Sequence, residues 1–72
     1  MRIYIKVRFE AKTPKFEKVL GEKYILYLPF AQDSETEEFI TKLLSKKLGV
    51  VQDKIYFAMV DKNGDWVFDI DY

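Results

Sequence analysis

Four aspartates, Asp61, Asp65, Asp69 and Asp71, crowd the last stretch of the chain. Carboxylate oxygens at close spacing are the hard ligands a divalent cation takes. Asp61-Lys62-Asn63-Gly64-Asp65 also has the outline of a calcium loop. Ile70 stands six residues past the glycine, however, where such a loop needs a glutamate, and no flanking helices are expected. If Asn63-Gly64 forms a two-residue hairpin turn, Asp61 and Asp65 fall on opposite faces, which argues against a shared ion. The expectation is no metal site and no cofactor. The chain has no histidine and no cysteine. It therefore lacks the usual general base, the thiolate nucleophile and the commonest transition-metal ligands, and no catalytic residue is assigned. We expect a protein that is not an enzyme.

The second arrangement that could do chemistry is at the start. Arg2, Tyr4, Lys6 and Arg8 alternate with Ile3, Ile5, Val7 and Phe9, so one face of a strand carries cations beside an aromatic ring. Cations for phosphates and rings for bases make this a candidate nucleic-acid face. The competing reading pairs those cations with Asp69 and Asp71 on a neighbouring strand. Residues 1–32 hold seven Lys/Arg against three Glu, and residues 33–72 hold five against nine acids, for a net charge of zero. That balance favours internal pairing over a phosphate-binding excess.

The elements that position these residues follow from periodicity. Phe39, Ile40, Leu43, Leu44 and Leu48 share one face of a helix spanning 33–50. Ser34 and Glu37 have the capping-box spacing at its start, and Gly49 stands as a left-handed C-terminal residue with Val50 packing back. Strands are expected over 2–10, 23–29 and 54–60, with a fourth after Asn63-Gly64, and 11–22 reads as a long connecting loop. The hairpin turn would pair Val60 with Val67, Phe57 with Ile70 and Tyr56 with Asp71, placing Ile55, Phe57, Met59, Phe68 and Ile70 inward. The result is a single α+β domain over 1–72, a two-layer structure with a four-stranded mixed sheet in the order strand, strand, helix, strand, strand and one helix on one face. Opposite charges place the first and last strands side by side at the centre.

One helix leaves the other sheet face open. The pattern puts Tyr4, Ile25, Tyr27, Tyr56, Val60 and Val67 there, more apolar surface than a monomer usually scatters. Unless 11–22 folds across it, that face is expected to bind a second copy or another protein, with nucleic acid as the alternative partner. No apolar run is long enough for a membrane span, so a cytoplasmic location is expected. Richness in Lys and Glu without Cys is compatible with a thermophilic source.

The runs Lys6-Val7-Arg8, Tyr24-Ile25-Leu26-Tyr27-Leu28-Pro29 and Phe39 through Val50 resemble the YggU-like family of small proteins, over roughly residues 5–60. The resemblance implies the strand, loop, strand, helix, hairpin order. The family's Pro-Pro-x-x-Gly-Lys-Ala-Asn segment is replaced here by Pro29-Phe30-Ala31-Gln32-Asp33-Ser34-Glu35-Thr36. Its Gly-x-x-Ser-Arg-x-Lys segment is replaced by Asp61-Lys62-Asn63-Gly64-Asp65. No family site residue therefore carries over. The strand order is also similar to that of β-grasp domains, but the chain ends Asp69-Ile70-Asp71-Tyr72, without the Gly-Gly tail of a conjugated modifier.

Overall fold

The computed structural model describes residues 1–71. Alternation in the first segment makes β1 (Arg2–Arg8), with Ile3 and Ile5 fully buried. It is followed by β2 (Lys15–Leu20), β3 (Lys23–Tyr27), α1 (Thr36–Leu48), a single 3-10 turn over Gln52–Lys54, β4 (Ile55–Val60) and β5 (Asp65–Ile70). The fold is α+β, with one helix and a mixed sheet in the order β2-β3-β1-β5-β4. β1 is central, parallel to β3 and antiparallel to β5.

The sheet has five strands, not four, because the segment read as a loop contains β2. Lys15-Phe16-Glu17-Lys18-Val19-Leu20 has a mixed pattern and is almost wholly exposed, as an edge strand can be when only one side of it pairs. Its backbone is bonded to β3, and it extends the sheet sideways instead of covering a face.

The helix ends where expected and is started by different residues. Ser34 is not the cap. Asp33 Oδ1 accepts the Glu35 N–H at 2.8 Å and the Thr36 hydroxyl at 3.3 Å, while the Asp33 N–H donates to Thr36 Oγ1 at 2.9 Å. This reciprocal arrangement does the work of a capping box, one step earlier and with threonine in place of glutamate. Thr36 is buried by it. At the other end Gly49 adopts φ 70° and donates to Ser45 O at 3.0 Å, and Val50 is buried, as the pattern implied. Ile40 and Leu44 are fully buried against Ile3, Ile5, Leu26, Phe68 and Ile70. Phe39, expected on the same face, is 42% exposed and meets Phe30 edge-on at 5.2 Å.

The last hairpin departs most from expectation. Asp61 N donates to Asp65 O and Gly64 N to Asp61 O, so the loop has three residues, Lys62-Asn63-Gly64, with Gly64 at φ 81°. A type I turn followed by a left-handed glycine is the usual three-residue solution. Asp61 favours it by accepting the N–H groups of Asn63 and Asp65 on Oδ1 at 2.9 and 3.0 Å. Asp61 and Asp65 are thus cross-strand neighbours and do not lie on opposite faces. A second irregularity sits at Ala58, where Phe57 pairs with Phe68 but Met59 pairs with Val67. One extra residue reverses the alternation beyond it.

Candidate interaction face

The sheet face away from α1 is built by alternate residues of five strands. The registers put Arg2, Tyr4, Lys6 and Arg8 of β1 there, beside Lys23, Ile25 and Tyr27 of β3 and Asp65, Val67 and Asp69 of β5. Lys15 and Glu17 of β2 and Tyr56 and Met59 of β4 complete it. Among the described residues no further element packs over this face.

Of the six residues expected there, Tyr4, Ile25, Tyr27, Tyr56 and Val67 are found on it. Val60 is not. The bulge at Ala58 pairs Val60 with Trp66, whose side chain belongs to the core on the helix side. Met59 takes the outer position instead, and no sequence signal marked that exchange. Val67 is on the face but is 0% exposed, enclosed between Tyr4 and Met59 across the strands. Tyr56 is 53% exposed and Met59 47% exposed, and they form the open apolar end, over β4. Tyr4, Ile25 and Tyr27 are half-buried.

The cations of the face lie along β1 and β3. Arg2 is held by Asp69 in a bidentate pair, Nε to Oδ1 at 2.7 Å and Nη2 to Oδ2 at 3.0 Å. The hydrogen bond from Arg2 lowers the Asp69 carboxyl below its ordinary value, and Asp69 in turn raises Arg2. Lys6 donates to Asn63 O at 3.1 Å and lies 3.2 Å from Asp65 Oδ1. That contact is off the direction of a hydrogen bond, so the buried oxygen has a charge partner but no donor. Asp71, expected to help neutralise β1, makes no ion pair among the described residues. Arg8 and Lys23 make no ion pair among the described residues.

The expected nucleic-acid face, Arg2, Tyr4, Lys6 and Arg8, is therefore one row of side chains whose first member is consumed by its neighbour. Sequence reasoning missed Lys23, which the parallel pairing of β3 sets directly beside Tyr4. No group of three or more carboxylates or other ligands able to hold a metal occurs among the described residues. No helix among them is long and apolar enough to cross a membrane. No protein-family model, curated protein or solved structure matches the chain.

Proposed function

We propose that this is a non-enzymatic association module that pairs with a second copy of itself through the outer sheet face, the contact centred on Tyr56 and Met59. The observation that carries the reading is that β2 widens the sheet without covering it. Five strands thus present one face on which none of the other described residues is laid, and its β4 end holds two large exposed apolar side chains beside a fully buried valine. Exposed apolar surface of this kind favours association at about 25 cal/mol per Å² buried, before ordering costs. Cytoplasmic residence and a homodimeric state are part of the same proposal. So is kinship with the YggU-like proteins, which adds no activity to it.

The test is the molar mass by light scattering over a concentration series, at low salt and at about 0.5 M, where screening removes charge-driven contacts. A dimer is expected at both. Tyr56→Lys with Met59→Lys should give a folded monomer, because both side chains are already in solvent. Val67→Lys serves as the contrast: it places a charge at a buried site and should unfold the domain. A wild-type chain that is monomeric throughout, or a double variant that still dimerises, overturns the proposal.

A further inference from the structure

The part of the outer face that the Tyr56–Met59 contact leaves free is built differently. A groove of about 580 Å³ lies there, bordered by Tyr4, Lys6 and Arg8 of β1, Lys23 and Ile25 of β3, Val19 at the bulged end of β2, and Asn63 and Asp65 of the last hairpin; Tyr27, paired with Arg8, stands beyond this lining. Because β1 and β3 run parallel, their outward residues pair as Tyr4 with Lys23, Lys6 with Ile25 and Arg8 with Tyr27. Each step along the groove therefore sets one cation across from one flat or apolar side chain. The cation lies on β3 at the first step and on β1 at the next two. Four residues of strand cover about 13 Å.

We propose that this groove binds a short segment of single-stranded nucleic acid, with Arg8 and Lys23 on phosphates and Tyr4 and Tyr27 against bases. The charge argument is local. Arg2 and Lys6 are engaged by Asp69 and Asp65, whereas Arg8 and Lys23 are exposed and make no ion pair among the described residues. The two free cations stand at opposite ends of the groove, one on each strand, as a ligand with repeating charges requires. Half-buried tyrosines supply flat surface without a large loss of side-chain freedom, and any base can stack on them. A duplex offers no unstacked base to these rings, so the single strand is the form that fits.

The experiment is fluorescence anisotropy of a labelled oligouridylate titrated with the intact protein across a salt series. The two phosphate contacts give a slope of log K against log salt of about −1.4. Arg8→Ala with Lys23→Ala should weaken binding about tenfold or more and flatten that slope by about 1.4. Arg2→Ala, which removes a cation already occupied, should change it less than about twofold. Tyr27→Leu should weaken binding without changing the slope, since stacking releases no counterions. Circular dichroism establishes that each variant is folded, and all but Tyr27→Leu alter exposed side chains. Absence of binding at low salt overturns the proposal. So does binding that is lost equally with Arg2→Ala. Inorganic polyphosphate bound as tightly as the oligouridylate, with Tyr27→Leu silent, would assign the groove to polyanions in general and refute a nucleic-acid site. Dimerisation is read separately by light scattering, so the failure of either proposal is distinguishable from failure of the other.

Discussion

Two ion pairs tie β1 to β5, and their geometry alone would rank them wrongly. Arg2–Asp69 is short and bidentate; Lys6–Asp65 is longer and single. Exposure reverses the order. The Arg2 and Asp69 side chains are 45% and 44% exposed, so water replaces whatever is lost, and such pairs contribute little. The Asp65 side chain is only 14% exposed, and its Oδ1 is buried with Lys6 as its one partner. Removing Lys6 leaves that oxygen with nothing, at a cost of about 1–3 kcal/mol. Lys6→Met should therefore destabilise the domain more than Arg2→Met, lowering Tm by roughly 4–24 °C at about 4–8 °C per kcal/mol for a chain of this size. Urea unfolding followed by the fluorescence of buried Trp66 reads both variants. Asp65→Asn in the Lys6→Met background should recover part of the loss, since the amide carries no charge to strand. An Arg2→Met penalty equal to or larger than that of Lys6→Met would refute the reasoning, as would strict additivity of Lys6→Met and Asp65→Asn.

Asp33→Ala should cost about 0.5–2 kcal/mol by removing the acceptor for Glu35 N–H and the Thr36 hydroxyl, with Ser34→Ala within about 0.5 kcal/mol of wild type in the same urea series. Gly64→Val forces a β-branched residue to φ 81° and should lose more than about 1 kcal/mol; an unchanged denaturation midpoint would place the turn elsewhere. The Asp69 carboxyl is lowered in the folded state by its hydrogen bond from Arg2. Its contribution to stability is present above the unfolded-state value and disappears as pH falls through the lowered one, below about 4. Asp69→Asn should flatten the acid limb of the stability curve there and leave the slope near neutrality unchanged.

The elements whose periodicity is strong were legible: β1 from strict alternation, α1 from its apolar stripe, the Gly49 end from its glycine. Adjacency of β1 and β5 was legible too, because cross-strand charges constrain neighbours, although Lys6 meets Asp65 where Asp69 was a candidate. Three features were not. β2 hides because an edge strand paired on one side needs no apolar alternation, and Lys15, Glu17 and Lys18 read as loop. The hairpin register slipped because Asn63-Gly64 matches a two-residue turn, whereas Asp61 stabilises the three-residue one by accepting two N–H groups, a competition decided by one side chain. The bulge at Ala58 has no compositional mark. Its consequence for the site is large, since it exchanges Met59 for Val60 on the outer face.

The position of β1 has a consequence in time. The strand made first lies between β3 and β5, and its antiparallel partner is made last. Until β5 has left the ribosome, Ile3 and Ile5 have only half of their eventual surroundings. β2, although it follows β1 directly, is separated from it by β3, which must be placed between them. The pairing of β1 with β5 joins residues more than fifty positions apart, as Arg2 with Asp69. Closure entropy for such contacts falls due before their burial repays it, so folding should be slower than for a helical bundle of equal length. The arrival of Trp66, Phe68 and Ile70 on β5 therefore completes the surroundings of β1 only after the other four strands have been made.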